Sequence, residues 1–261
     1  MNRPLKGPLQ FFFGTLPQPC PYLPGRIETK AVTELVGADA LALHDRLTLA
    51  GFRRSHGVAY KPACTACDAC VPVRIPVADF VPNRSLRRVK RRNADLVTVP
   101  RPARATREQY ALFARYQRSR HADGGMATMT FEDYRAMVED TPVETMLVEH
   151  RGPDGRLIAA SLSDRLIDGL SGVYKFFEPD EPARSAGTFI VLWHVEKARA
   201  MGLSFVYLGY WIATCRKMEY KARFRPIEAL GCDGWHRLGP ADGLSGKTDY
   251  VPPAAPYTAP S

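Results

Sequence analysis

Residues 169–226 constrain the fold more than any other stretch. Leu170-Ser171-Gly172-Val173-Tyr174-Lys175-Phe176-Phe177 is rich in β-formers and bounded by Gly169 and Pro179, so it reads as a strand. A loop follows and leads through Gly187 into a helix over 188–201, which Gly202 is suited to end. A second strand reads from Ser204 to Ile212, and a short basic helix from Cys215 is stopped by Pro226. Strand, helix, strand is a βαβ unit, so the two strands are expected parallel with a right-handed crossover. The helix begins apolar (Phe189, Ile190, Val191, Leu192, Trp193), which predicts buried first turns and an N-terminus aimed at the loop. Free N–H groups there favour an anion or a developing oxyanion, and Lys175 and Arg184 stand nearby in sequence. An ordinary βαβ core with solvated lysines explains the same residues.

The chain has 261 residues, 45% of them hydrophobic, and a formal charge of +9. Its length suits two modest domains. The positive charge points to a polyanionic partner without choosing among RNA, DNA and a membrane surface. No apolar run nears bilayer length, Phe11-Phe12-Phe13 included, and no signal-peptide core stands at the N-terminus. A cytoplasmic protein without a membrane partner is expected.

Of the six cysteines, Cys64, Cys67 and Cys70 form a Cys-x-x-Cys-x-x-Cys run. Without a secretory signal, metal binding or reactive thiols fit better than disulfides. Three thiolates at this spacing can wrap one centre, zinc or iron–sulfur, with Cys20 as a fourth ligand from a distant loop. The alternative is a tight turn of reduced thiols. After the run, Val71-Pro-Val-Arg-Ile-Pro-Val77 reads as an edge strand limited by its prolines.

The sharpest charge feature is Arg84, Arg87, Arg88, Lys90, Arg91 and Arg92. As a helix, these cations repel one another unless an anion relieves them; phosphates do so well, and Arg contacts them bidentately. They are the candidate nucleic-acid-binding residues, against the reading of a solvated surface helix. The Pro- and Arg-rich stretch 97–107 reads as a domain boundary. The expected organisation is an N-terminal α+β domain over 1–100 holding the cysteines and the basic segment. A second domain over 101–238 and a flexible tail over 239–261 follow. In the second domain, two helices (107–121 and 131–139, the latter capped by Thr130), a hairpin turning at Gly152-Pro-Asp-Gly155, then strand, helix and strand follow in order. That order matches an acyltransferase of the N-acetyltransferase type, giving a mixed α+β protein with a GNAT-like second domain.

Several stretches together resemble the aminoacyl-tRNA–protein transferases. They are Cys20-Pro-Tyr-Leu-Pro, Phe52-Arg53-Arg54-Ser55, the cysteine run with Val-Pro-Val-Arg74, and Asn83-Arg-Ser-Leu-Arg-Arg88. Val173-Tyr174-Lys175-Phe176-Phe177-Glu-Pro-Asp180, Tyr207-Leu-Gly-Tyr-Trp-Ile212 and Lys217-Met-x-Tyr220-Lys221-Ala-x-Phe224 complete the set. The likeness is to the bacterial leucyl branch, related to eukaryotic arginyl-tRNA–protein transferase. It implies transfer of leucine from leucyl-tRNA to the α-amine of proteins beginning with Asp or Glu, marking them for degradation by the N-end rule. It also implies an N-terminal cysteine domain that in the eukaryotic branch is linked to an iron–sulfur cluster or metal. Here Cys20 is followed three residues on by Leu23, so that branch's Cys-x-x-Cys pair is absent, with Cys64 in position to replace the missing thiol.

The chemistry needs no cofactor for transfer. The donor is an activated ester and the acceptor amine has a pKa near ~8, so positioning and oxyanion stabilisation can supply most of the rate. Tyr174, Lys175 and Tyr220 are the candidate catalytic residues; the tyrosines, like Tyr207, are equally good core residues. The acceptor's acidic side chain requires a cation. Lys217 and Lys221, at i and i+4 of the basic helix, would share a face, and Lys175, Arg53, Arg54, Arg184 and Arg223 complete the substrate-binding candidates. Rival readings are a coenzyme A-dependent N-acetyltransferase, whose phosphate loop Arg184-Ser-Ala-Gly187-Thr-Phe189 only half satisfies, arginyl rather than leucyl transfer, and a metal-stabilised RNA-binding module.

Overall fold

The structure, a computed structural model, describes residues 10–122 and 124–239. The 240–261 part of the expected tail lies outside the described residues. The chain opens with β1 (Phe13–Gly14), β2 (Gln18–Pro19), β3 (Ile27–Glu28), β4 (Lys30–Glu34), α1 (Ala40–Leu49), β5 (Arg53–Ser55) and β6 (Val58–Pro62). Next come β7 (Val71–Pro76), α2 (Arg84–Arg92), β8 (Val97–Pro102), α3 (Arg107–Arg120) and α4 (Phe131–Glu139). The remainder is β9 (Thr145–Arg151), β10 (Leu157–Arg165), β11 (Gly169–Phe177), α5 (Ala186–Ala200), β12 (Phe205–Trp211), β13 (Glu228–Gly231) and β14 (Gly234–Arg237). The protein is mixed α+β, and from β8 onward its element order is the one expected of an N-acetyltransferase-type fold.

One sheet of eight strands, ordered β14-β13-β7-β12-β11-β10-β9-β8, dominates the molecule; β1, β4, β6 and β5 form a small antiparallel sheet. The large sheet corrects two expectations. The supposed boundary at 97–107 contains β8, paired along its length with β9, and β7 from the first hundred residues sits between β13 and β12. The sheet therefore does not divide at residue 100. Nor is β7 an edge strand: β13 pairs with it only at Arg74 and Val73, between Pro72 and Pro76, so the missing proline N–H groups interrupt little of that ladder.

Helices α2, α3 and α4 start where a side chain accepts a free amide, whereas α1 and α5 have no side-chain cap. Asn83 takes the Leu86 N–H, and Thr106 and Thr130 make capping boxes with Gln109 and Asp133. Helices α3 and α4 cover one face of the sheet through Phe113, Tyr134, Leu147, Leu162 and Phe176. Helix α5 covers the other through Ile190, Leu192, Val195 and Ala198. Helix α2 then lies on α5, burying Leu86 and Val89 and leaving its cations outward. Strand β10, covered on both faces, is buried from Leu157 to Asp164, which explains its nearly continuous apolar and small-residue run.

Candidate active site

The site arises from a defect in the sheet. Strands β11 and β12 are parallel, as expected, but pair only at Gly169–Phe205, Leu170–Val206 and Ser171–Tyr207. Beyond these pairs each strand runs on without the other. Arg53 of β5 enters the opening: its guanidinium donates to the Gly172 carbonyl (2.5 Å) and the Ser171 hydroxyl (3.3 Å), taking up strand acceptors that β12 leaves free. Opposite, Gly209 interrupts β12 at a register shift with φ +74°, and a Cβ there would come within 2.8 Å of the Arg53 guanidinium. Only glycine admits both the conformation and the arginine.

Three cavities open along this cleft. An outer one of about 320 Å³ holds Ser185, Gly187 and Thr188 at the start of α5, with Lys175, Lys217 and Arg120. A middle one of about 200 Å³ adds Ile190, Val206 and Leu208 beside Tyr174, Lys175, Tyr220 and Lys221. An inner one of about 470 Å³ runs between Tyr22, Arg53 and Tyr60 on one side and Met126, Met129, Met137 and Met218 on the other. Lys175 and Tyr220 border both the outer and middle cavities, and Arg53, Tyr174 and Lys221 border both the middle and inner ones. Among the described residues, no carboxylate lines the middle or inner cavity.

Within it, the Lys175 ammonium donates to the Gly187 carbonyl (2.7 Å) at the foot of α5 and lies 4.5 Å from the Tyr220 ring centre. Tyr174 accepts a hydrogen bond from Gln117, and burial pushes its phenol up. Burial would also push Tyr220 up, but the Lys175 and Lys221 charges, a hydrogen bond to Lys175 and Arg53 outweigh it and hold the phenol down at about 8. Lys221 is itself lowered to about 8 by burial, partly offset by Tyr220, and donates to the Tyr210 carbonyl.

Several site expectations are corrected. The basic helix after Cys215 is a chain of three-residue turns, with amides of Cys215, Met218, Lys221 and Phe224 each bonded three residues back; only Glu219–Arg223 is regular 3₁₀ helix. A repeat of three puts those four residues inward, and all are buried. Lys221 therefore faces the core while Lys217 is exposed at the outer cavity, and the two do not share a face. Arg54 borders the inner cavity, but its buried guanidinium is already clamped on Asp164 through Nε (2.6 Å) and a second nitrogen (2.7 Å). Arg184 is held by both Asp95 oxygens (2.9 Å each) and by Glu181. Arg223 is exposed on a separate groove with Asn83, Ser85 and Arg225, beside the start of α2. The Tyr207 hydroxyl donates to Asp168 (2.9 Å) and accepts from Arg74 (3.2 Å), a structural role.

The candidate tRNA-binding residues Arg84, Arg87, Arg88, Lys90, Arg91 and Arg92 are all exposed on α2. Among the described residues only Lys90 of this set forms an ion pair with a side-chain carboxylate, Glu196 (2.5 Å). The end of α2 is fastened to the loop that starts α5: Arg92 donates to the Ala183 carbonyl (3.0 Å) and Asn93 to that of Arg184 (2.8 Å). The basic helix thus ends beside the outer cavity. Arg120, which sequence reasoning passed over, lies one helical turn beyond Tyr116, and both line that cavity; the i, i+4 spacing was the available signal.

The cysteines do gather. The Cys70 thiol is pushed up to about 12 by burial and then by Cys20, Cys64 and Cys67. Arg26 ties the Cys20 turn to the cysteine loop through the Ala66 carbonyl (2.9 Å). The donor set suits a soft metal, but among the described residues no three His, Cys, Asp or Glu side chains are positioned to hold a metal ion.

The sequence profile described as "Arginine-tRNA-protein transferase, N terminus" matches residues 18–88, and "Arginine-tRNA-protein transferase, C terminus" matches residues 108–231. The aspartate/glutamate leucyltransferase of Paramagnetospirillum magneticum is 60% identical over 92% of this chain and 98% of its own length. That of Parvibaculum lavamentivorans is 59% identical over 88% of this chain and 95% of its own. Among solved structures, L-PGS from Bacillus licheniformis (TM-score 0.43, 10% identity) covers 69% of this chain, which spans 52% of that one. FemX (TM-score 0.42, 10% identity) covers 70%, and the chain spans 63% of it. The chain belongs to the arginine-tRNA–protein transferase family, in its aspartate/glutamate leucyltransferase branch, and is an aminoacyltransferase.

Proposed function

We propose that the protein moves leucine from leucyl-tRNA to the α-amine of proteins beginning with Asp or Glu, in the cytoplasm, as a tag for N-end rule degradation. The observation that carries this reading is the continuity of positive charge. Exposed arginines of α2 lead to the start of α5, and from there into a cleft whose two deeper cavities hold Arg53, Lys175 and Lys221 and, among the described residues, no carboxylate. In this reading α2 takes the acceptor-stem phosphates and the outer cavity takes the 3′ end, against the α5 N-terminus, Lys217 and Arg120. The leucyl ester reaches the Lys175–Tyr220 junction. The acceptor enters the inner cavity, with Arg53 facing its acidic side chain. Transfer needs no cofactor in this scheme.

The rival donors fit less well. Arg184, the arginine a coenzyme A phosphate loop would use, is held by Asp95 and Glu181. An arginyl donor would want a buried carboxylate, and Asp180 and Glu219 are exposed and line none of the three cavities. No helix among the described residues is long and apolar enough to cross a membrane. The test is mass spectrometry of an Asp-starting peptide incubated with the protein and total charged tRNA, or with acetyl-CoA instead. A leucyl mass increment from tRNA is expected. An acetyl increment, or an arginyl one, would overturn the reading.

A further inference from the structure

Lys221 is 8% exposed, yet among the described residues it forms no ion pair with a carboxylate; its ammonium bonds only the Tyr210 carbonyl. A buried cation without a counter-charge is costly. The groups around it that can carry negative charge are the neighbouring Tyr220 phenol and the Cys215 thiol, while Arg53 and Lys175 add more positive charge. Tyr220 in turn meets Lys175 from β11, Lys221 beside it and Arg53 from β5, and Tyr116 of α3 lies near it. It borders both the outer cavity and the middle one.

We propose that Tyr220 is the proton-transfer residue of the reaction, its phenolate held between Lys175 and Lys221 at the point where the donor and acceptor parts of the cleft meet. The inference rests on the aminoacyl-transfer reading above. The neutral amine attacks the ester carbonyl, forming the C–N bond and a tetrahedral adduct with a positive nitrogen and a negative oxygen. The phenolate takes one proton from that nitrogen. As the carbonyl re-forms and the C–O bond to the ribose breaks, the phenol returns the same proton to the leaving oxygen. The products are an amide and a free 3′-terminal hydroxyl, and Tyr220 is again a phenolate. The Lys175 ammonium, fixed by the Gly187 carbonyl, faces the charge that develops.

The depression of the Tyr220 phenol to about 8 agrees with this role, since a proton carrier works best with a pKa near the operating pH. The two histidines of the same cavity are poorer carriers. His194 is bonded to the Ser163 hydroxyl (2.6 Å) and is lowered to about 3 by burial and then by Lys175 and His150. His121 packs against Tyr116 and is lowered from 6.5 by burial, Lys217 and Arg120, so it would set an acid limb below that value.

The experiment measures single-turnover leucyl transfer to an Asp-starting peptide from pH 6 to 9, with wild type, Tyr220→Phe, and protein carrying 3-fluorotyrosine at 220. Tyr220→Phe is expected to lose about 100-fold or more in rate with the apparent affinities for peptide and leucyl-tRNA changed less than about threefold. The fluorinated ring, which keeps the shape and lowers the phenol pKa, is expected to move the acid limb to lower pH. The acceptor's own ammonium titrates in the same range, but fluorine on the enzyme does not move it. If Tyr220→Phe does not fold, the fluorotyrosine limb decides alone. A limb that stays put, or a folded Tyr220→Phe protein within about threefold of wild type, overturns the proposal while leaving the transfer reading intact. A wild-type protein that transfers no leucine removes that reading and this inference with it.

Discussion

Asp164→Asn tests whether Arg54 reads substrate or holds the two sheets together. Asp164 is wholly buried on β10 and takes two hydrogen bonds from Arg54 of β5, another from Thr145 (2.7 Å), and faces His44 of α1 at 3.6 Å. Both charges are out of water, so removing one leaves the other uncompensated, at a cost of about 3–5 kcal/mol. With a urea slope of ~2–3 kcal/mol per molar, the unfolding midpoint should fall by roughly 1–2 M, read by tryptophan fluorescence. Replacing both partners by apolar residues, Arg54→Met with Asp164→Leu, removes both desolvation penalties and should recover most of the loss. Transfer kinetics of the folded single variant, measured below its melting range, should keep the wild-type KM for an acidic peptide. The reasoning fails if Asp164→Asn costs less than about 1 kcal/mol, if the double variant is no more stable than the single ones, or if peptide KM rises with stability intact.

Changing Arg87, Arg88, Arg91 and Arg92 together to Gln should lower the slope of log affinity for leucyl-tRNA against log salt by about 3, at up to ~0.9 per phosphate contact; an unchanged slope removes α2 from the tRNA interface. Lys217→Ala should raise KM for leucyl-tRNA and lower that slope by about 1, leaving peptide KM alone, because Lys217 stands at the outer cavity. His150 is held to about 4 by burial, and His194 to about 3 by burial and neighbouring positive groups. Both folded pKa values lie below the unfolded 6.5, so the unfolded chain binds more protons on acidification, and stability is full above pH 6.5 and falls towards pH 4. The limiting slope is about 2.7 kcal/mol per pH unit for two sites; His150→Phe should roughly halve it, as read from urea midpoints between pH 7 and 5. Protein purified without oxygen should transfer leucine whether or not a chelator is present; loss of transfer with loss of bound iron or zinc would show that the thiols around Cys70 carry a required metal.

The βαβ unit, the α3 and α4 helices and the hairpin at Gly152 to Gly155 were legible because each is fixed by local signals: β-former runs, capping boxes and a Gly-Pro-Asp-Gly turn. What local signals do not carry is pairing across long separations. Strand β7 looked like an edge because its prolines limit pairing, yet β13 joins it only between them, some 150 residues later in the chain. The boundary at 97–107 looked like a linker for the same reason. Its Pro100 and Pro102 are tolerated in β8, which closes one side of the large sheet.

The site was legible by residue type and illegible by role. Sequence marks Arg53, Arg54, Arg184, Lys217, Lys221 and Arg223 alike as cations near the right motifs; it cannot say which of them already has a carboxylate. Asp164 and Asp95 lie 110 and 89 positions from the arginines they bind, so those pairs form only through the fold. The same blindness hid the converse case. A helical reading of 215–226 placed Lys217 and Lys221 together, whereas the three-residue turns separate them, sending one to the rim and burying the other against Tyr220. The division follows from what the turns bury: Cys215, Met218 and Phe224 are apolar, so the position between Met218 and Phe224 must also face inward, and it is occupied by a lysine. A cation in an apolar row costs stability, and the proposed proton transfer at Tyr220 gives a reason for keeping Lys221 there despite that cost.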